Sequence, residues 1–234
     1  MLVVNFPVYF HYIFEWLGFF IGFKLFMMAR KDDILPANQR NSVLVASVLG
    51  AVIGTKLFVW LENPLQLNVY DVMFSGKSIV GALLGEWMAV EITEEFAGIN
   101  RSTGDITVIP LIAGMVIGRI GCFLTGLQDK TYGIPTTLPW GVDFGDGISR
   151  HPTQLYEIVF LLALLWLIHS LRSKQIVEGM PFKIFMLGYI TFKFFVQFLK
   201  PTPHIYWGLD FIQLMSLPVV FYCGIVLFQS ASKQ

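Results

Sequence analysis

Residues 108–126 read VIPLIAGMVIGRIGCFLTG, nineteen positions with a single charged side chain, Arg119. That is close to the roughly 20 residues a helix needs to cross the hydrocarbon core of a bilayer. Gly118 precedes the arginine and Gly121 follows two positions later. A permanent cation at the end of an apolar run costs on the order of 3 kcal/mol by insertion scales. Something must compensate for it. The candidates are an anionic ligand, drawn close by the flanking glycines, or an acidic side chain such as Glu157 or Glu86.

The rest of the chain repeats the pattern. Of 234 residues, 55% are hydrophobic, 15% aromatic and 14% charged, against about a quarter charged in a soluble domain, and the mean hydropathy is +0.66. The apolar excess falls into blocks near residues 8–28, 42–61, 78–97, 106–127, 153–171, 182–200 and 209–229. This predicts an all-α polytopic membrane protein of about seven transmembrane helices, one membrane domain over 1–234. The third block carries Glu86 and Glu91, which predicts a broken or tilted span, or one facing an internal cavity. Sixteen basic and sixteen acidic residues balance, so nothing points to a nucleic-acid partner. Cys122 and Cys223 both sit in apolar runs and suggest no disulfide framework. The opening MLVVNFPVYF has no basic region and no small-residue cleavage site after it, which predicts no cleaved leader.

Basic residues in short loops set orientation. Arg30, Lys31, Arg40, Arg101, Arg172, Lys174, Lys183 and Lys233 fall on one side, eight in all, against Lys77, Lys130, Arg150 and Lys200 on the other. The bias predicts the N-terminus outside and the C-terminus inside, with the 128–152 loop facing outward. That loop is rich in turn residues, yet it carries Tyr132, Trp140 and Phe144, which predicts a loop packed onto the bundle rather than a slack connector.

From 118 to 157 the chain reads GRIGCFLTGLQDKTYGIPTTLPWGVDFGDGISRHPTQLYE. Gly118-Arg119-Ile120-Gly121, Tyr132-Gly133, Pro139-Trp140-Gly141 and the octet Arg150–Glu157 resemble the signature region of the phosphatidylglycerol–prolipoprotein diacylglyceryl transferase family. Weaker similarity runs through FEWLGFFIGF, SIVGALLG, GYITFKFFVQFLKP and FIQLMSLP. The resemblance implies seven spans with the N-terminus outside, in the bacterial cytoplasmic membrane. It also implies a reaction in which the diacylglyceryl group of phosphatidylglycerol passes to a preprolipoprotein cysteine thiol and glycerol phosphate leaves. Phosphatidylglycerol or another anionic phospholipid, the lipoprotein and the bilayer are then the partners. Such a displacement needs a cation at the phosphate and a base for the thiol, and no cofactor.

Arg119, whose planar fork matches phosphate oxygens, is the expected headgroup cation, with Gly118 and Gly121 beside it. The resemblance also marks departures. The family His is Val80 here and the second of its paired glycines is Ala82. The Asn after the Gly-Arg motif is Cys122, a span-one Tyr is Leu17, and an Arg and Glu in span six are Lys193 and Gln197. Asp129 stands nearest to the family's turn Glu. For the missing base the candidates are His151, otherwise a hydrogen-bonded loop residue, and Glu15. Arg150, Gln154, Tyr156, Glu157, Lys193, Gln197 and Asp129 are expected to contact substrate, with Glu157 holding Arg119 or Arg150. Cys122, in apolar surroundings, reads as inert. His11, His169 and His204 show no metal-ligand spacing and read as interfacial, so no metal is expected. A family member that binds anionic lipid without turnover is the alternative to a transferase. A transporter would call for repeats or paired broken helices, which the sequence lacks.

Overall fold

The computed structural model describes residues 2–3, 6–30, 35–62, 77–172 and 177–231. Lys31, Lys174 and Lys233, used above to weigh orientation, lie outside the described residues. Seven long helices follow in order: α1 (Tyr9–Ala29), α2 (Ala37–Glu62), α3 (Ile79–Phe96), α4 (Val108–Thr125), α5 (Thr153–Arg172), α6 (Met180–Gln197) and α7 (Phe211–Ala231). α1, α2, α4, α5 and α7 are long and apolar enough to cross a membrane. α3 carries four acidic side chains, and α6 fits Lys183, Lys193, Pro181 and Gln197 into eighteen residues. The chain is an all-α polytopic membrane protein. Of the alternatives offered for α3 (broken, tilted or facing a cavity), the structure removes the first: the helix runs without interruption, and its Glu86 accepts a 2.7 Å hydrogen bond from Ser47.

The chain divides into two compact units. One comprises residues 32–104 and 204–215. Its centre is the α2–α3 pair, and its contact is built from glycine. Gly50 and Gly54 on α2 face Gly81 and Gly85 on α3. A Cβ on Gly54 would overlap the Gly81 carbonyl, and one on Gly85 would overlap the Gly50 carbonyl. Small residues four apart allow backbones to meet where lipid supplies no hydrophobic drive. Ser78 starts α3: its hydroxyl accepts from Gly81 N at 3.4 Å and donates to Glu62 at 2.8 Å, a helix cap of the usual kind. Val80 is fully buried in this unit.

The other unit holds residues 1–31, 105–203 and 216–234. α1 packs on α4, α4 on α5, and α5 on α6. Gly18 and Gly114 bring α1 and α4 together, a Cβ at Gly18 falling 2.8 Å from the Gly114 carbonyl oxygen. The N-terminus of α6 is capped from afar. Asp105 accepts from Gly179 N at 2.6 Å and Phe182 N at 3.0 Å, a carboxylate at the positive end of the helix.

The loop between α4 and α5 is ordered, as its aromatics predict. β2 (Val142–Asp143) pairs antiparallel with β3 (Ser149–Arg150) and parallel with β1 (Leu2–Val3). Val142 and Phe144 are buried against Phe123, Leu127 and Tyr132. Asp143 fixes the tip, its Oδ1 accepting from the backbone of Gly145, Asp146 and Gly147 at 2.8, 3.1 and 3.0 Å. Trp140, by contrast, is 56% exposed.

Candidate active site

Arg119 sits two turns before the end of α4, with only 11% of its side chain exposed, and Glu157 in the second turn of α5, with 2%. Arg119 Nε lies 2.9 Å from Glu157 Oε1, in an ion pair whose N–H is not aimed at the oxygen. Tyr189 donates to the same Oε1 at 2.7 Å. Lys193, from the last turns of α6, places Nζ 3.6 Å from Oε2. Three helices thus bring two cations onto one buried carboxylate. Of the two acidic partners the sequence offered for Arg119, the structure supplies Glu157.

Beside this cluster lies a second, which the sequence did not reveal. At the start of α1, His11 Nδ1 is 3.1 Å from Asp129 Oδ1 and 3.8 Å from Cys122 Sγ. Its Nε2 is 3.7 Å from Glu15 Oε2, one turn along α1. Arg119 Nη1 approaches Cys122 Sγ at 3.8 Å, joining the two clusters. Asp129 reaches back because α4 ends at Gly126 (φ 66°) and a 3-10 turn, Gly126–Asp129, reverses the chain before Lys130 (φ 58°). Thr131 donates to the other oxygen of Asp129 and accepts from Gln154 Nε2 at 3.2 Å. His11, Cys122 and Asp129 each offer a ligand atom within 4.8 Å of the others, a spacing that a metal ion can bridge.

His11, set aside above as interfacial, is therefore central here. Its only local signal was the His11–Glu15 spacing of one helical turn. Cys122 is buried as expected, but its thiol has polar neighbours. Gln154 and Gln197 are 1% and 3% exposed. Among the described residues neither Oε1 finds a donor. Two buried acceptors without partners are unusual enough to call for an explanation, such as a ligand.

The glycines differ. A Cβ at Gly118 would meet no atom within 4 Å, whereas one at Gly121 would lie 2.6 Å from Phe14 Cβ, so Gly121 seats α1 against α4. The signature octet also divides. Arg150 pairs with Asp146 at 2.6 Å and stands 5.2 Å over the Tyr132 ring; this bond holds the Asp146 carboxyl below its usual range. His151 Nδ1 lies 3.1 Å from Tyr156 Oη, which accepts from Trp140 Nε1 at 2.9 Å. These side chains organise the loop, while Gln154 and Glu157 turn toward the buried clusters.

A family model described as prolipoprotein diacylglyceryl transferase matches residues 1–229. The chain is 30% identical to the phosphatidylglycerol–prolipoprotein diacylglyceryl transferase of Bordetella parapertussis, over 92% of this chain and 90% of that one. It is 33% identical to the protein of the same name in Oleidesulfovibrio alaskensis, over 94% and 89%. The figures for the one in Pseudoalteromonas translucida are 32%, over 88% and 84%. A match that runs from the first residue through the last helix, and takes in every side chain of both clusters, means that the chain belongs to the prolipoprotein diacylglyceryl transferase family.

Proposed function

We propose that this protein transfers the diacylglyceryl group of phosphatidylglycerol to the thiol of a lipoprotein cysteine, releasing glycerol phosphate, at the outward end of its bundle in a bacterial cytoplasmic membrane. The observation that carries this reading is the buried Arg119–Glu157–Lys193 cluster. Two fixed positive charges flank one negative charge, an arrangement suited to a ligand that brings a second negative charge, as a phosphodiester does. Glu157 holds the guanidinium by charge on its Nε side, which leaves terminal N–H groups for phosphate oxygens. As the bond to the glycerol carbon breaks, charge grows on those oxygens, and a prepositioned cation in a dry site favours that state. Gln154 and Gln197 offer acceptors for the hydroxyls of the glycerol headgroup. The open face of Gly118 lets a headgroup approach α4 closely. Asp129 belongs to the acceptor side; Arg150, His151 and Tyr156 act through the loop that frames the entrance, and Glu15 acts through His11.

Purified protein, phosphatidylglycerol and a peptide bearing a lipoprotein cysteine supply the test. Release of glycerol phosphate together with a lipidated peptide is the expected result, lost in Arg119→Gln. The second reading, lipid binding without turnover, draws on Val80, a buried aliphatic with no proton to exchange. Saturable phosphatidylglycerol binding with no glycerol phosphate release would establish that reading instead.

A further inference from the structure

The phosphate cluster uses Arg119, Glu157 and Lys193; His11, Cys122 and Asp129 stand outside it, on the acceptor side. These three come from α1, the last turn of α4 and the 3-10 turn. Their closest separations from the imidazole are 3.1 Å to oxygen and 3.8 Å to sulfur. A tetrahedral ion with bonds of about 2.0–2.2 Å to nitrogen and oxygen and about 2.3 Å to sulfur has edges of roughly 3.3–3.6 Å. Two edges, 3.1 and 3.8 Å, stand close to that figure, and all three donor atoms lie within 4.8 Å of one another. One imidazole, one thiol and one carboxylate form a set that suits zinc.

The surroundings are those of a metal-ligand shell. A ligating histidine usually gives its second ring nitrogen to a carboxylate, and Glu15 Oε2 lies 3.7 Å from His11 Nε2. The second oxygen of Asp129 is held by Thr131, which Gln154 holds in turn. Arg119 Nη1 lies 3.8 Å from Cys122 Sγ, so the sulfur faces the phosphate cluster. Three protein ligands leave one position open, and 22% of the His11 side chain is exposed, against 7% for Asp129, which opens the site from one side.

We propose that His11, Cys122 and Asp129 bind a divalent cation of the zinc class, whose fourth position takes the acceptor thiol. The acceptor role rests on the transferase reading; the metal site does not. Coordination removes the thiol proton to solvent. The bound sulfur then attacks the glycerol carbon of the lipid. A carbon–sulfur bond forms, the carbon–oxygen bond to phosphate breaks, and the oxygen keeps its electron pair and leaves as glycerol phosphate beside Arg119. The metal ends as it began, and nothing is oxidised or reduced. The deprotonation otherwise asked of a basic side chain is met by a Lewis acid.

Cobalt(II) is the probe. The full chain, purified in detergent and treated with a chelator, is titrated with cobalt. The expected result is one ion per chain, with tetrahedral visible bands and a thiolate-to-cobalt charge-transfer band, displaced by zinc. Cys122→Ser should lose the charge-transfer band. His11→Gln, at a partly exposed position, should keep it while weakening affinity tenfold or more, and serves if Cys122→Ser does not fold. A folded wild type that takes up no cobalt overturns the site, as does a charge-transfer band that survives Cys122→Ser or an affinity unchanged in His11→Gln. Turnover that persists after complete metal removal overturns the acceptor role. Cobalt binding in a protein that never releases glycerol phosphate leaves the site standing and sinks the transferase reading.

Discussion

Arg119 and Glu157 meet at 2.9 Å between the C-terminal part of α4 and the second turn of α5, and Lys193 stands 3.6 Å from the far oxygen of the same carboxylate. Because Glu157 has a second cation and the Tyr189 hydroxyl, losing Arg119 does not strand it. Arg119→Gln should therefore keep most of the protein's thermal stability while lowering turnover by about 10²-fold or more. Arg119→Lys, which keeps charge but loses the fork, should fall in between. Equal turnover per folded molecule, with a large drop in melting temperature, would make the arginine structural.

The same geometry predicts an asymmetry among the partners. Glu157→Gln leaves two cations facing each other in a buried site, and breaking such a group from the shared side costs about 3–5 kcal/mol. Lys193→Met removes one cation and leaves the Arg119–Glu157 pair whole. Denaturation in one detergent should rank Lys193→Met well above Glu157→Gln in stability. The reverse order would show that the carboxylate is not the hub.

Gly118 and Gly121 provide a paired test on one helix turn. Gly118→Ala meets open space, so it should raise stability by about 0.5–1 kcal/mol, as Gly-to-Ala changes in helices do. It should nevertheless raise the KM for phosphatidylglycerol severalfold by crowding the headgroup. Gly121→Ala, pushed against Phe14, should destabilise by about 1–3 kcal/mol. Lipid kinetics unchanged in Gly118→Ala would remove the glycine from the binding surface.

Orientation is open to chemical labelling. Trp140 is 56% exposed on the 128–152 loop, while the native Cys122 and Cys223 are buried. Trp140→Cys should react with an impermeant thiol reagent on intact spheroplasts. Labelling that appears only after permeabilisation would invert the assignment.

The loop tip depends on Asp143, whose single oxygen accepts three backbone N–H groups. Asp143→Ala leaves those donors without their acceptor and should cost about 1–3 kcal/mol. Amide exchange at 145–147 should quicken by a factor of ten or more. Exchange as slow as in the parent would show that the turn holds without the carboxylate.

The helices were legible because each is a local property of the sequence: a predominantly apolar run, in five of them long and apolar enough to span. Arg119 was legible for the same reason, as an expensive side chain in the wrong solvent. Its partner was narrowed to Glu157 or Glu86, and only packing chooses between them. His11 was missed because nothing local distinguishes it; it meets Cys122 from 111 residues away in sequence. That meeting depends on the close approach of α1 and α4 through Gly18 and Gly114, and on the chain reversal at Gly126. The octet 150–157 shows the opposite limit. As a string it is one motif, yet helix periodicity sends Gln154 and Glu157 inward while Arg150, His151 and Tyr156 serve the loop.

Gly50, Gly54, Gly81 and Gly85 also bear on timing. Their contact is backbone against backbone, so it needs no side-chain fit from any later segment, and α2 and α3 are neighbours in the order of synthesis. N-terminal elements fold first as a chain emerges. The two helices can therefore close on each other in the bilayer while the arginine-bearing α4 is still being made. A side chain added at Gly54 or Gly85 then acts at birth rather than in catalysis: it lowers the amount of protein that survives insertion, and the molecules that do survive turn over at the ordinary rate.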